Sequence, residues 1–217
     1  MFLNRPLLKW YVRSARFVTW PVAIGATLFA LGYPGQLQIV NFALAWVFIF
    51  FHSVFVAQAM SSFDSPATAY LYTRGFSRDQ LWAHRLVSHL LCVAAAWLPA
   101  SLVIWLGLRS AFQDYFIQNA NYPIFRTDDY SAPFTWLAGY LLAVGVVHYG
   151  SIRHAQPTHD RDAGYALAGG YLLAVSIAMS SELPTWQSVT MWIGIIIANV
   201  VFLWGSWRLH RSVEVTP

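Results

Sequence analysis

Long apolar stretches, separated by shorter polar segments, make up most of this chain. A membrane-spanning helix needs about twenty consecutive, mostly apolar residues. The stretches are continuous and lack the every-second-residue alternation of barrel strands, so they predict α-helices. The predicted fold is an all-α integral membrane protein with about six transmembrane helices. The six predicted spans are Phe17–Tyr33, Ile39–Met60, Leu86–Leu108, Phe134–Ile152, Tyr165–Ser181 and Val189–Trp207.

The composition agrees with a chain that has lipid as its solvent. Of the 217 residues, 58% are hydrophobic and only 10% are charged, whereas soluble domains carry about 25% charged residues. We therefore predict a single transmembrane domain over residues 1–217, without a soluble domain. The one cysteine, Cys92, lies inside an apolar stretch, which excludes a disulfide framework within the chain.

The basic residues predict the orientation, because Lys and Arg are enriched in cytoplasmic loops. With the N-terminus inside, 11 of the 13 basic residues are cytoplasmic, and only Arg109 and Arg126 are outside. This places residues 61–85 and 153–164 in the cytoplasm and residues 109–133 outside. We expect a multi-pass protein of the bacterial inner membrane with both termini cytoplasmic. Topology then accounts for the net charge of +4, and no nucleic-acid partner is predicted.

Residues 1–16 predict an amphipathic helix in the cytoplasmic interface, preceding the first span. At 100° per residue the basic side chains lie within about 80° of one another. Asn4 is a good N-cap and Pro6 suits the first turn. The basic positions are Arg5, Lys9, Arg13 and Arg16, and the opposite side holds Leu3, Leu7, Trp10, Tyr11 and Phe17.

Absent motifs narrow the function. The only lysine, Lys9, is not preceded by glycine, so the chain has no phosphate-binding G-x-x-x-x-G-K-[ST] loop. Any ATP hydrolysis must therefore come from another chain, and we predict no catalytic residue here. All nine acidic residues fall in loops or at the edges of spans, whereas ion-coupled transporters usually carry acids inside the membrane. A secondary transporter is therefore disfavoured.

The segment between the second and third spans carries the most local structural signals. Ser65 and Pro66 favour the start of a short helix, and Gly75 favours its end. Ser77 and Gln80 match a capping box, which predicts a new helix running into the third span. A capped helix, a glycine and a second capped helix predict a stiff cytoplasmic projection. An ordinary interhelical loop is the alternative interpretation.

The pattern T-R-G-F-S-R-x-x-L-W, from Thr73 to Trp82, resembles the permease subunits of ABC-2-type transporters. There a loop with a consensus like L-L-[ST]-x-P-[VI]-S-R-x-x-L forms a coupling helix that docks on the ATPase subunit. Gly75 replaces the usual proline, and the six spans and the basic tail after the last span also resemble that family. The matching positions are Leu71, Thr73, Ser77, Arg78 and Leu81.

The resemblance implies a permease that pairs with a second copy, or with a homologous permease, and is energised by two cytoplasmic ATP-binding subunits. ATP and magnesium would then be bound by the ATPase subunits, and this chain would hold no cofactor. The aromatic and arginine side chains of the segment are the usual anchors of protein interfaces. The implied contact residues are Tyr70, Leu71, Tyr72, Thr73, Arg74 and Phe76.

Histidines supply the main alternative. His52 and His148 lie at similar depth in the second and fourth spans, where they could ligate a haem axially. A haem-binding or quinone-linked redox subunit is therefore a second interpretation, and a non-catalytic membrane scaffold is a third. We favour the interpretation that the two histidines act separately and are each hydrogen-bonded within the bundle. The polar loop residues His154, His159, Asp160 and Asp162 favour a solvated loop or an ATPase contact over a metal site. We expect neither haem nor metal.

The predicted topology can be tested by labelling single cysteines introduced at Asn119 and Thr158 in a Cys92→Ala background. Because residues 109–133 and 153–164 are predicted on opposite faces, an impermeant thiol reagent should label the two positions from opposite sides of the membrane. Labelling of both from the same side would contradict the orientation and the cytoplasmic position of the coupling segment.

Overall fold

The computed structural model describes residues 4–32, 38–60, 71, 73–106, 132–154 and 185–212. The architecture in these ranges is all-α, as the apolar pattern predicts. Several helix ends lie within two residues of the predicted spans, notably both ends of the second and fourth. The helices are α1 (Arg5–Gly32), α2 (Gln38–Met60), α3 (Arg78–Trp105), α4 (Ala132–His154) and α5 (Thr185–Ser212).

Helix α1 differs from the prediction, because the interfacial helix and the first span form one helix of 28 residues with Pro21 inside it. A single buried stripe at four-residue spacing explains the continuity, since it begins at Leu7 and continues through Ala23. The four basic side chains are exposed, as predicted. Trp10 and Phe17 were expected on the apolar side but are 45% and 74% exposed.

The start of α1 is attached to α3 through His84. The Oδ1 atom of Asn4 accepts a hydrogen bond from the N–H of Leu7 at 3.2 Å, as expected for an N-cap. The N–H of Asn4 donates to Nε2 of His84 at 2.5 Å. Nδ1 of His84 lies 2.5 Å from the carbonyl oxygen of Gln80, so this nitrogen carries the proton.

Helix α3 contacts each of the other four described helices, most extensively α1. Nearly half of its buried residues are polar or charged. Small residues towards the C-terminal end of the helix, such as Ala96 and Ala100, allow close packing of the neighbouring helices. The polar part of this face is described with the candidate site. The buried residues are Leu81, His84, Arg85, Ser88, His89, Cys92, Val93, Ala96, Ala100, Ser101 and Val103.

Helices α4 and α5 approach closely at Gly145. A Cβ atom at this position would collide with the side-chain oxygen of Asn199 and lie 3.4 Å from Cβ of Phe202. Gly205 makes a second close approach, where a Cβ would lie 3.0 Å from the ring of Tyr149. The two glycines therefore let the helix axes approach more closely than larger residues would allow.

Large apolar side chains cover much of the outer surface of the described helices. They occur on all five helices, and many are more than half exposed, including Phe48 and Ile197. Two helical stretches, Arg78–Trp105 and Trp192–Ser212, are long and apolar enough to cross a membrane by length and composition. The shorter apolar stretches Val47–Met60 and Trp136–Gly150 belong to α2 and α4.

Three sequence predictions lie outside the described residues. They are the fifth predicted span at residues 165–181, residues 109–131 of the predicted external loop and residues 155–164 of the predicted cytoplasmic loop at 153–164. The other residues of these loops, 132–133 and 153–154, form the two ends of α4. The six-span arrangement is therefore taken up again as part of the proposed function.

The close α4–α5 contact predicts that Gly145→Leu destabilises the bundle. Overpacking of a tight contact typically costs about 1–3 kcal/mol. Gly150→Leu is the matched control on the same helix, since a Cβ there meets nothing within 4 Å. Both changes raise helix propensity equally, so the difference between their unfolding temperatures in detergent reports packing alone. Equal unfolding temperatures for the two variants would contradict the close contact.

Candidate functional site

The turn at residues 71–77 is the described part of the predicted coupling segment. The N–H groups of Arg74 and Phe76 both donate to the carbonyl oxygen of Leu71, at 3.2 Å. The bond from Phe76 spans five residues and is the mark of a Schellman C-cap. Gly75 has the left-handed backbone conformation that this cap requires, with φ +80°. A helix therefore ends at this glycine, where the sequence places its C′ residue.

Helix α3 begins directly after the turn. The Oγ atom of Ser77 accepts from the N–H of Gln80 at 3.2 Å, and the N–H of Ser77 donates to Oε1 of Gln80 at 2.9 Å. These two reciprocal bonds form the capping box that the sequence predicts. Caps on both sides therefore fix the backbone from Gly75 to Ser77, directly before α3.

The turn is anchored to three helices by its apolar side chains. Leu71 and Phe76 are half-buried and pack against residues of α1, α2 and α3, whereas Thr73 and Arg74 are exposed. All four were predicted to contact a partner. The structure places Leu71 and Phe76 towards the bundle and leaves Thr73, Arg74 and Gly75 as the exposed face of the turn. The packed cluster consists of Leu7, Tyr11, Ala15, Val56, Met60, Leu81 and Cys92.

The remaining predicted positions of this segment, Ser65, Pro66, Tyr70 and Tyr72, lie outside the described residues. Their assigned roles, and the ATPase contact as a whole, stay predictions.

A polar contact joins the start of α3 to the end of α5. Asp79 accepts from Nε of Arg211 at 2.8 Å and from the indole N–H of Trp207 at 3.0 Å, and it forms an ion pair with Nη2 of Arg211. The Arg211 guanidinium also lies 4.2 Å from the centre of the Trp207 ring. Nη1 of Arg78 donates to the Arg211 carbonyl oxygen at 2.5 Å. The tail that the sequence describes only as basic thus joins the two helix ends.

Five of the histidines in the described helices are buried, and three of them, His52, His89 and His148, lie inside the bundle on α2, α3 and α4. The ring centres of His89 and His148 are 5.2 Å apart, and the ring of His52 lies 5.7 Å from that of Tyr140. The structure thus brings the ring of His148 against that of His89, which is completely buried and had no role assigned to it from the sequence.

The imidazoles of His52 and His89 have no hydrogen-bond partner among the described residues, at either ring nitrogen. Leaving a buried polar group unsatisfied costs about 1–3 kcal/mol. Such groups need an explanation, such as a bound molecule or a functional role. The described residues contain no group of three or more His, Cys, Asp or Glu side chains arranged to hold a metal ion.

Arg85 extends the polar face of α3 towards the start of the helix. It is 3% exposed, and its Nε donates to the hydroxyl of Tyr11 at 3.3 Å. Its guanidinium carbon lies 5.9 Å from the centre of the same ring. In the predicted topology Arg85 is one of the basic residues of the cytoplasmic loop at 61–85. The spacing of Arg85, Ser88, His89 and Cys92 is the signal that was available, since it places all four on one helix face.

Comparison of the chain with protein-family models, with curated proteins and with solved structures gives no match.

The contact between Asp79 and Arg211 predicts a pH dependence of stability. Both groups lie outside the predicted spans. Hydrogen bonds from Arg211, and a further one from Trp207, hold the pKa of the Asp79 carboxyl below its ordinary value of 3.8. A lowered pKa means that ionised Asp79 stabilises the fold above the unfolded-state pKa, and that this contribution is lost as pH falls through the folded-state pKa.

The expected effect is small because the pair is exposed. At neutral pH, Asp79→Asn should lower the unfolding temperature in detergent by a few degrees. As the pH falls through the folded-state pKa of Asp79, which lies below 3.8, the unfolding temperatures of wild type and variant should converge. A difference that stays constant across this range would show that the carboxylate charge contributes nothing.

Proposed function

We propose that this chain is the membrane-spanning permease subunit of an ABC-2-type transporter, energised by a separate ATPase subunit. The observation that carries the proposal is the doubly capped turn at residues 71–77, which presents Thr73 and Arg74 on a fixed, anchored turn directly before α3. In the proposal the chain has six spans and cytoplasmic termini in a bacterial inner membrane. It assembles with a second permease copy or a homologous permease.

The outer surface supports the membrane part of this proposal. Phe17, Ile24 and Leu28 form an exposed apolar stripe along α1, and α5 exposes Ile193, Ile197 and further large apolar residues. Soluble monomers rarely expose continuous apolar patches larger than a few hundred Å². In a lipid bilayer these apolar side chains contact lipid instead of water, so their exposure is not unfavourable.

The anchoring of the turn supports its role in energy coupling. A displacement of Thr73 or Arg74 would move Leu71 and Phe76, which pack on the cluster of α1, α2 and α3. The same displacement would move the start of α3 directly, because the capping box begins two residues after Gly75. The Asp79–Arg211 contact extends the same connection to α5. Movement of a docked ATPase would therefore reach four of the described helices.

A membrane redox subunit is the second candidate function. The observation that favours it is the group of buried imidazoles on α2, α3 and α4, two of which lack partners among the described residues. An absorption spectrum of the purified protein distinguishes this candidate from the transporter.

The coupling proposal predicts that Tyr70→Ala combined with Arg74→Ala weakens ATPase binding. If both side chains are interface anchors, the loss should be about 2 kcal/mol or more, which is roughly 30-fold in Kd. The measurement is capture of the ATPase by the purified permease at equal expression, together with ATP-dependent transport. Arg74 is exposed and Tyr70 lies outside the predicted spans, so membrane insertion should be unchanged.

Trp10→Ala combined with Arg13→Ala is the matched control. It removes an aromatic and an arginine side chain from exposed positions on α1, outside the proposed docking segment. This control should leave ATPase capture at the wild-type level. Undiminished capture and transport in the Tyr70/Arg74 variant would remove the main support for the transporter and would favour a non-catalytic scaffold.

A further inference from the structure

A cavity of about 430 Å³ lies between α1, α2, α3 and α4. Its wall is almost entirely apolar. The largest side chains in the wall are Trp97 of α3 and Trp136 of α4. None of the described residues that line it is acidic or basic. This volume is within the range of small-molecule binding sites in proteins.

The cavity opens onto the outer surface of the bundle between α1 and α2. Pro21 and Gly25 of α1 and Phe48 of α2 line it, and all three are exposed. This exposed surface is continuous with the apolar stripes of α1 and α2. In a bilayer, a molecule dissolved in the lipid therefore enters the cavity from the side, without crossing the aqueous phase.

Tyr140 brings a hydroxyl group to the lining of this apolar space. Tyr140 lines the cavity, and its ring is in edge contact with the buried imidazole of His52. Ile49, one helical turn before His52, also lines the cavity. Both nitrogens of His52 lack a partner among the described residues, and the side chain is 1% exposed. An otherwise apolar site with one or two convergent polar groups is the usual pattern of a site that orients its ligand.

We propose that this cavity binds an uncharged amphiphile taken from the bilayer, with its apolar body among the tryptophans and a hydroxyl or carbonyl group at the hydroxyl of Tyr140. Water does not suit the cavity, because apolar cavities of this kind stay dry. A charged molecule does not suit it either, because the lining offers no opposite charge and burying an unpaired charge is costly. The assignment of this ligand class as transported cargo rests on the proposed transporter function.

The test uses the full-length protein in nanodiscs of phosphatidylcholine and phosphatidylglycerol. The probe is hexadecanol with a photoreactive diazirine midway along its chain, and labelled peptides are identified by mass spectrometry. We expect saturable labelling of peptides that contain Trp97 or Trp136. Unlabelled hexadecanol should compete, whereas ionised palmitate should compete poorly because it carries a charge.

Gly25→Leu fills the cavity without disturbing the packing, since a Cβ at Gly25 meets nothing within 4 Å. Displacing about two methylene groups of the probe should reduce saturable labelling roughly tenfold. Gly194→Leu on α5 is the matched control, because its Cβ also meets nothing within 4 Å and Gly194 does not line the cavity. Both variants replace a helical glycine and should be at least as stable as the wild type.

Ala26→Leu, at a second lining position, gives an independent measurement if Gly25→Leu fails to fold. Tyr140→Phe removes the hydroxyl but keeps the ring, and it should abolish the preference for hexadecanol over hexadecane as competitor. Retention of that preference would overturn the assignment of the polar end. Non-saturable labelling, wild-type labelling in both cavity-filling variants, or effective competition by palmitate would overturn the proposed ligand class.

The assay contains no ATPase, so its outcome is separate from the coupling test. Saturable amphiphile binding without ATPase capture would support the ligand site and contradict the transporter, so that the chain would be a lipid-binding membrane protein. ATPase capture without saturable labelling would support the transporter and contradict the ligand site, so that the cargo would be of a different kind.

Discussion

The arrangement of the bundle depends on where α3 begins, because α3 contacts each of the other described helices. That point is fixed by the reciprocal hydrogen bonds between Ser77 and Gln80, immediately after the left-handed residue Gly75. A shift of one residue at this start would rotate α3 by about 100° and turn its polar face away from the bundle. The hydrogen bonds of this cap therefore determine which side chains of α3 face the other helices.

The side chains that meet there are costly to bury. Arg85 has a hydroxyl and a ring face from Tyr11 as partners, whereas His52 and His89 have no hydrogen-bond partner among the described residues. In a membrane-spanning bundle, polar residues inside are rare and usually mark a pathway or a binding site. The polar face of α3 extends from the start of that helix towards the apolar cavity, which is lined by Tyr140 in ring contact with His52.

This arrangement relates the two proposals to each other. The capped turn, the packed cluster around Leu81 and the Asp79–Arg211 contact occupy one end of α3, and the cavity is lined by Ala96 and Ala100 nearer the other. One continuous helix therefore connects the proposed docking surface with the proposed ligand site. A displacement of the turn would move both the polar face and one wall of the cavity, because a helix of 28 residues transmits movement along its axis.

Local sequence signals were sufficient for features that depend on neighbouring residues. Asn4, Gly75 and the Ser77–Gln80 pair have the capping roles that their residue types predict. The apolar stretches predicted the bounds of α2 and α4 to within two residues. These features depend on backbone conformation and on hydropathy, and both are encoded within a few residues of the chain.

Tertiary structure alone decided the features that depend on residues far apart in sequence. The N-terminal segment continues into the first span because its stripe from Leu7 onwards packs on α3, which hydropathy alone does not reveal. Leu71 and Phe76 face inward, His148 meets His89, and Asp79 meets Arg211 across more than 100 residues. Helix periodicity shows which residues share a face, but the neighbour that each face meets is set by the packing of the whole bundle.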